Sequence, residues 1–261
     1  MGYCEYTQYT SCQMLGSGAS VYNPRMCGRY VTPTQAEMER YWALTNERTR
    51  NPLGQLFNVS PTATVPTLRF QSGRLELVAA RWGFIPVWWK AAKPPRNTFN
   101  ARSEEAATKP MWRYPASKGR CLVPAMGWYE WKEVDRIDPA TGEVTKAKQP
   151  YFIRLTDRGP IAFAGLLSRR NVEGDESEFT CTILTRDAIG PVSEIHSRMP
   201  IGLPKDAEAA WLDPGMTDAA IAIEFAREFA VTDFVHHPVD SRVNNARNEG
   251  ANLIEPFENP A

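Results

Sequence analysis

The residue of this chain that is best suited to covalent chemistry is Cys27, which follows Met26. If translation begins at Met26, or if the residues before Cys27 are removed, this cysteine carries a free α-amine beside its thiol. An aldehyde condenses with such an amine to a Schiff base, and the thiolate can then close a five-membered thiazolidine ring. The amine titrates at about 7.7 to 8.0 and the thiol at about 8.5, so both nucleophiles are partly available at pH 7. The ordinary alternative is a small buried side chain that begins a strand.

Four further polar residues are candidates for a site. Glu130 stands among aromatic residues, and burial there would raise its pKa and suit it to proton transfer, whereas at a sheet edge it would simply face water. His196 is one of three histidines and has the right unperturbed pKa for acid-base work, but a single histidine is often structural. Asn100 and Arg102, taken alone, are equally compatible with a turn and with the surface.

The stretch from residue 81 to residue 89 is the most aromatic part of the chain and contains Trp82, Trp88 and Trp89. Indole N–H groups need hydrogen-bond partners, so three tryptophans beside proline and glycine are hard to bury together. Stacking on unpaired nucleic-acid bases is one use for them. Filling the core is the other.

Composition narrows the class of protein without identifying a partner. The chain has 261 residues with 30 basic and 30 acidic side chains, so binding to nucleic acid would need a local basic patch. The five cysteines form no CxxC pair and no zinc-finger spacing, which favours a reduced intracellular compartment and predicts no metal site. No apolar run approaches the roughly 20 residues of a membrane span, and the N-terminus has no export or lipidation signal.

Strand signals outnumber helix signals, and the strands follow one another instead of alternating with helices. This order predicts an α+β fold, a single domain on a curved, mainly antiparallel sheet or open barrel with peripheral helices. The predicted strands are 28–32, two or three strands within 57–80, and 120–125, 128–132, 151–155, 161–167 and 180–184, with a charged hairpin tip at 133–149. The predicted helices are one from the Thr34 capping box to about Leu44, and 205–212 and 217–229.

Three finer expectations concern the last helix and the two ends of the chain. In the last helix, Ile221, Phe225 and Phe229 fall on one face, which predicts that this face packs on the core. Residues 241–256 are rich in asparagine and are predicted to be irregular. Residues 1–25 show no helix or strand period and are interpreted as a disordered leader or as the result of a misassigned start, which leaves 26–257 as the catalytic domain.

Six blocks of sequence occur in the order seen in one known family. The chain resembles the SOS-response-associated peptidase family, the abasic-site-processing proteins, from Met26 to about Pro256. The blocks are Met26-Cys27-Gly28-Arg29-Tyr30, Arg81-Trp82-Gly83-Phe84-Ile85-Pro86, Asn100-Ala101-Arg102-Ser103-Glu104, Arg120 to Ala125 with Trp128-Tyr129-Glu130-Trp131, Phe163-Ala164-Gly165-Leu166, and Ile195-His196-Ser197-Arg198-Met199-Pro200.

The resemblance implies four catalytic residues. Cys27 matches the family's cysteine, which would form a thiazolidine with the ring-opened aldehyde of an abasic deoxyribose. Asn100 would hydrogen-bond the opened sugar. Glu130 and His196 would move the protons of Schiff-base formation, ring closure and reversal, with lyase-like β-elimination possible through the Schiff base.

The resemblance also implies the partner, which is single-stranded DNA that contains abasic sites. Arg29, Arg102 and Arg198 match phosphate-contacting arginines, a role that suits forked guanidinium groups. No cofactor, metal or membrane is expected, and the protein is expected to be a cytoplasmic monomer that joins the nucleoid when bound. The further DNA-binding candidates are Arg81, Trp82, Trp88 and Trp131.

Because the family's cysteine must be N-terminal, the 25 residues before Met26 leave two possibilities open. Either translation starts at Met26, or the protein cleaves its own leader with Cys27 as nucleophile. Two other functions remain as alternatives. One is a cysteine peptidase acting on other proteins, with Cys27, His196 and Glu130 as nucleophile, base and orienting group. The other is a non-catalytic reader of modified bases that uses the tryptophans.

Overall fold

The computed structural model describes residues 27–44, 51, 53–137, 140–171 and 177–257, and the predicted leader lies outside them. Within these residues the chain forms twelve strands and five α-helices. The strands are β1 (Tyr30–Val31), β2 (Thr64–Gln71), β3 (Arg74–Trp82), β4 (Asn100–Arg102), β5 (Arg120–Ala125), β6 (Gly127–Ile137), β7 (Val144–Leu155), β8 (Ile161–Asn171), β9 (Ser177–Asp187), β10 (Arg198–Pro200), β11 (Gly202–Leu203) and β12 (Phe234–Pro238). The helices are α1 (Gln35–Trp42), α2 (Ser103–Ala106), α3 (Pro110–Lys118), α4 (Lys205–Leu212) and α5 (Ala219–Glu228).

Five strands close into a ring in the order β9-β3-β2-β5-β8, because β8 pairs with β9 as well as with β5. The predicted α+β fold on a mainly antiparallel sheet is confirmed. Two of the pairings are parallel, β3 with β9 and β4 with β9. The ring also depends on the parallel pairing of β3 with β9, a long-range contact that no local signal in the sequence predicts.

A second sheet has the order β1-β6-β7-β12. The predicted hairpin tip at 133–149 is wrong in extent, because β6 continues to Ile137 and β7 begins at Val144. Charged residues there pair across the two strands, as Asp135 does with Lys146. Cross-strand ion pairs let a solvated ribbon continue well beyond the apolar core.

The three predicted helices are present, and the last one begins at Ala219, two residues later than predicted. Thr34 caps α1 with both halves of a capping box, and α4 has the predicted bounds. The predicted core face of α5 is wrong. Its buried residues are Ala222, Ile223 and Ala226, whereas Ile221 is 61% exposed. The small alanines let the helix approach its neighbours closely, while Ile221 and Phe229 face outward and Phe225 is half-buried against the core.

Large aromatic side chains fill the interior. Trp82, Trp128 and Trp211 are almost completely buried, and the residues around them come from both sheets and from the helices. The described part of residues 241–256 contains two short 3-10 turns, Ser241–Asn244 and Ala251–Leu253. Among the described helices, none has the length and apolar character required to cross a bilayer.

Candidate functional site

Cys27 lies three residues before the start of β1, and three different parts of the chain hold it. Its backbone nitrogen donates a hydrogen bond to Oε1 of Glu130 at 2.8 Å, and its carbonyl accepts one from Nδ2 of Asn100 at 3.3 Å. The thiol donates to the carbonyl oxygen of Arg198 at 3.8 Å. Cys27 has a φ of +38°, a left-handed conformation that non-glycine residues rarely adopt. The surroundings therefore hold the cysteine in one specific orientation.

Glu130 is the buried acid of this site. β6 pairs with β1 in a register that sets Trp128 opposite Tyr30, and this pairing carries Glu130 to the Cys27 nitrogen. Its side chain is almost completely inaccessible, and this burial raises the pKa of the carboxyl to about 8, although the hydrogen bonds from Cys27 partly oppose the shift. Glu130 can therefore exchange a proton near neutral pH.

The Cys27 thiol is held in its protonated form. Burial raises its pKa well above the ordinary value, and the nearby Glu130 raises it further, while Arg198 acts in the opposite direction with a smaller effect. Peptidases that act through a thiolate lower the pKa of their cysteine instead. The environment of Cys27 thus favours the chemistry of its nitrogen over immediate attack by its sulfur.

His196 follows the 3-10 turn Gly190–Glu194 and precedes β10. The backbone N–H of Arg198 donates to its Nδ1 at 3.0 Å, so the neutral ring carries its proton on Nε2. Nδ1 also lies 3.2 Å from the Arg198 carbonyl oxygen, to which it donates only after gaining a second proton. Burial lowers the pKa of His196, so the neutral ring prevails at pH 7.

Glu130 and His196 both line a cleft of about 610 Å³. Cys27 is 5% exposed and lies behind it, next to Gly28 in the wall. The lining carries two basic side chains and an indole, which are groups suited to phosphates and to unstacked bases. The remaining lining residues are Arg29, Ser60, Pro61, Thr62, Trp131, Lys148, Asn244 and Ala246.

The guanidinium of Arg198, which is expected to contact DNA phosphate, has acidic partners within the protein. Its guanidinium is buried and forms a two-bond ion pair with Glu104 at 2.9 Å, with a further bond to Asp187 at 2.6 Å. It also donates to the carbonyl of Thr185. A guanidinium neutralised by two carboxylates has little charge left for a phosphate. Instead, it fixes the backbone whose N–H and carbonyl contact His196 and Cys27.

The structure contradicts the expectation that Trp82 binds DNA. Its side chain is 0% exposed, and its indole N–H donates to the carbonyl of Phe99 at 2.8 Å. Tyr30 and Phe99 pack edge-on against its ring. A residue enclosed in this way cannot stack on a base, so the core interpretation of this tryptophan is the correct one.

The other predicted DNA-contact residues divide between two regions. Arg29 and Trp131 line the cleft, where Arg29 donates to Asn58 at 2.9 Å. Arg102 is exposed and lies two residues after Asn100 in β4, on the same face of the strand. Arg81 donates to the carbonyl of Gly83 at 2.8 Å, and Trp88 lines a different cavity.

Sequence reasoning missed several residues of the site. Lys148 and Asn244 line the cleft from β7 and from a 3-10 turn, and no local motif marks either one. The carboxylates of Glu104 and Asp187 were also missed. Glu104 lies in the same block as Asn100, so its position offered a signal that was not used. Within the described residues, no group of three metal-binding side chains occurs.

The closed ring, the second sheet and a cysteine whose nitrogen contacts a buried acid define an α+β protein with a candidate site for covalent chemistry at Cys27. A family model described as SOS response associated peptidase matches residues 26–246. This chain belongs to that family.

Several relatives share most of the chain. It is 35% identical over 199 residues to the abasic site processing protein YoqW of Bacillus subtilis, covering 76% of this chain and 85% of the relative. It is 35% identical over 245 residues to the abasic site processing protein YedK of Escherichia coli, covering 88% and 100%.

Solved structures agree with the fold. A phage-related protein from Bordetella bronchiseptica has a TM-score of 0.61 at 30% identity and covers 82% of this chain and 94% of its own. A protein from Bacteroides thetaiotaomicron has a TM-score of 0.68 at 21% identity and covers 88% and 100%, a likeness that shows the fold alone.

Proposed function

We propose that this protein captures abasic sites in single-stranded DNA and links to them covalently through a thiazolidine formed by N-terminal Cys27. The observation that carries this proposal is the 2.8 Å contact between the Cys27 nitrogen and the Glu130 carboxyl, in a site where Asn100 holds the carbonyl of the same residue. The names of the relatives YoqW and YedK, both abasic site processing proteins, support it.

The reaction begins at the nitrogen. Once Cys27 is the first residue, its amine adds to the aldehyde carbon of the opened sugar, and the resulting carbinolamine loses water to give a Schiff base. Glu130, which is hydrogen-bonded to that nitrogen, can accept the proton that the amine loses and return it to the departing hydroxyl. The Cys27 sulfur then bonds to the same carbon, and the thiol proton passes to the nitrogen.

His196 has a different part in this scheme. Its neutral ring has the proton on Nε2, since Nδ1 accepts from the backbone of Arg198. His196 therefore acts as a donor to an oxygen of the sugar, during capture and again during reversal. Asn100 keeps Cys27 in place through its carbonyl and is near enough to the reacting nitrogen to bind the sugar as well.

The cleft supplies the binding surface for the strand. Arg29, Lys148 and Trp131 line it, and Arg102 is exposed at the end of β4 next to Asn100. Cationic groups hold phosphates, and an indole can stack on a base that no longer has a paired neighbour. A nucleotide that has already lost its base needs no unstacking, which suits a shallow site.

The same site can remove the residues that precede Cys27. In this step the Cys27 thiol adds to the carbonyl carbon of residue 26, the C–N bond breaks, and the nitrogen of Cys27 leaves as an amine. Glu130 is hydrogen-bonded to that nitrogen and, being mostly protonated below pH 8, can supply its proton. Water then hydrolyses the thioester and frees the thiol.

Cleavage of other proteins is a weaker alternative. A cysteine peptidase needs a base in contact with its sulfur and a depressed thiol pKa. Here the sulfur contacts the Arg198 carbonyl and the Glu130 carboxyl, but burial keeps that carboxyl protonated up to about pH 8, and the pKa of the thiol is raised. These features support a thiol that acts second, after the nitrogen has captured its target.

The proposal can be tested with protein that begins at Cys27 and a single-stranded oligonucleotide whose uracil has been excised. A heat-stable adduct should appear on a denaturing gel, with a mass equal to the sum of the two reactants less one water. Protein with one alanine added before Cys27, shown by its intact mass to retain that alanine, is the matched control and should give no adduct. Cys27→Ser should give a product only when borohydride reduces the Schiff base. An equal yield from the blocked protein would contradict the proposal.

A further inference from the structure

A second cavity, separate from the candidate site, opens at the end of the ring where β5 is shorter than the strands on either side of it. β5 begins at Arg120, and β2 pairs with it only at Leu68, yet β2 continues to Gln71 and β8 continues to Asn171. The extended ends of both strands line a cleft of about 580 Å³ together with helix α3. We name it the α3 cleft. It shares no lining residue with the cleft that contains Glu130 and His196.

Large apolar side chains converge on the α3 cleft. Phe70, Trp88 and Tyr114 line it and are 42%, 53% and 68% exposed, respectively. Phe84 and Leu167, both buried, also contribute to the lining. Solvent-exposed aromatic residues that gather around one concave surface are typical of a binding site, because covering them removes apolar area from water.

The charge of this cleft has one sign. Arg69, Lys118, Arg120 and Arg169 line it, and no acidic residue does. The guanidinium groups of Arg69 and Arg169 both lie against the ring of Phe179, at 4.8 Å and 5.8 Å from its centroid. The cationic side chains, with no acidic residue among the lining, give this cleft a positive charge that attracts an anionic group.

Two buried donors in the lining also lack a partner. The side-chain oxygen of Ser168 and Nε of Arg69 form no hydrogen bond with the described residues. Ser168 is 6% exposed and stands next to Arg169 on β8. Buried polar groups in native proteins are nearly always satisfied, so these two donors mark the wall of the cleft as a place where an ordered water can bind.

We infer that the α3 cleft binds an acidic peptide segment of another protein, one that carries a bulky apolar side chain beside its carboxylates. A carboxylate would pair with Lys118 and Arg169. The apolar side chain would pack between Trp88 and Tyr114.

Charge and composition favour a peptide over a second stretch of nucleic acid. Arg69 already pairs with Glu76 at 3.0 Å, and the guanidinium of Arg120 donates to backbone carbonyls such as that of Trp211. Lys118 and Arg169 are left as the lining cations without an acidic partner in the described chain. Two such cations suit one or two carboxylates, whereas a bound strand presents a phosphate at every nucleotide. The proline, methionine and leucine side chains of the lining suit an aliphatic or aromatic side chain.

The test uses the full chain and a fluorescein-labelled peptide, Glu-Asp-Asp-Asp-Leu-Phe with a free C-terminal carboxylate, in a fluorescence anisotropy titration. We expect saturable binding that is weakened at least tenfold by Arg169→Glu and by Tyr114→Ala. Both residues are exposed, so neither change should unfold the protein. Arg136→Glu, a matched charge reversal at the exposed end of β6, should bind the peptide as the unaltered chain does. Two control peptides, one with asparagine in place of the acidic residues and one with serine in place of Leu-Phe, should each lose the binding.

Several outcomes would overturn the inference. One is the absence of saturation at millimolar peptide. Another is equal weakening by Arg136→Glu, which would mean attraction by general charge alone. A third is that Arg169→Glu weakens the binding of a labelled thymidine oligonucleotide while the unaltered chain binds no peptide. That result would assign the cleft to nucleic acid. Adduct formation on abasic DNA is a separate readout, expected to be unchanged in Arg169→Glu, so failure of one proposal does not disturb the other.

Discussion

The backbone nitrogen of Cys27 and the carboxyl of Glu130 lie 2.8 Å apart in a buried site, although 103 residues separate them along the chain. In the chain as described, this nitrogen is an amide, and burial keeps the pKa of Glu130 near 8. Once Cys27 becomes the first residue, the nitrogen gains a positive charge and should lower the pKa of its neighbour. Processing therefore changes Glu130 from a proton donor into a carboxylate that can accept a proton from the amine.

The raised pKa of Glu130 in the unprocessed chain predicts that the stability of this chain depends on pH. In the unprocessed chain Glu130 binds a proton up to about pH 8, whereas in the unfolded chain it loses that proton near pH 4.3. The native state holds the extra proton across this interval, so the free energy of unfolding should fall as pH rises from about 4.5 to 8, by up to a few kcal/mol. Urea unfolding at several pH values would measure it. Glu130→Gln should flatten the profile, and a profile equally steep in that variant would assign the effect to other groups.

The rate of capture should depend on the same carboxyl. Glu130→Gln keeps an oxygen that can accept from the Cys27 nitrogen but cannot take a proton, so adduct formation should slow by roughly 10²-fold or more. Samples quenched at successive times and run on denaturing gels would give the rate. Fluorescence anisotropy with an oligonucleotide whose uracil has not been excised would give the affinity. Affinity should stay within a few-fold. A loss of affinity as large as the loss of rate would make Glu130 a binding residue instead.

His196 should act through its Nε2 proton. Glutamine can place an amide N–H near that position, whereas alanine cannot, so His196→Gln should retain more activity than His196→Ala in forming and reversing the adduct. The difference should be roughly tenfold, near the lower end of what acid-base groups contribute. Release of DNA from purified adduct, followed over hours, checks the reversal. Equal loss in both variants would leave His196 with a purely structural role.

Arg102 and Arg198 should behave differently although both are arginines of conspicuous blocks. Arg102 is exposed, so Arg102→Ala should reduce the slope of log affinity against log salt by about 0.7 for one phosphate contact on single-stranded DNA. Arg198 pairs with Glu104 and Asp187, so Arg198→Ala should leave the slope unchanged and lower stability by about 3 to 5 kcal/mol as the ion pairs are lost. A reduced slope in Arg198→Ala would make Arg198 a phosphate contact.

Asn100 is expected to keep Cys27 in its left-handed conformation. Asn100→Ala removes the hydrogen bond to the Cys27 carbonyl and should cost about 1 kcal/mol of stability, with a larger effect on adduct rate because the amine would be less well oriented. Asn100→Asp replaces the donor with a carboxylate and should be no better. A rate close to that of the unaltered chain in either variant would remove Asn100 from the site.

Local features of the fold were predictable because their causes are local. The Thr34 capping box predicted the start of α1, and the apolar run at 120–125 predicted β5 with its observed bounds. The face on which a helix packs was harder to predict from the sequence. The spacing of Ile221 and Phe229 placed them correctly on one face, but neighbouring elements decided that the alanine face of α5 would be buried.

For the candidate site, the sequence by itself determined the chemistry available, since a cysteine, a carboxyl and an imidazole have their reactivity wherever they stand. The tertiary structure decided which of these groups act on one another. The pairing of β6 with β1 brings Glu130 to Cys27, burial raises its pKa, and the carboxylates of Glu104 and Asp187 occupy Arg198. Contacts across more than 100 residues and the exclusion of water depend on the whole packed chain, which is why no pattern of neighbouring residues could reveal them.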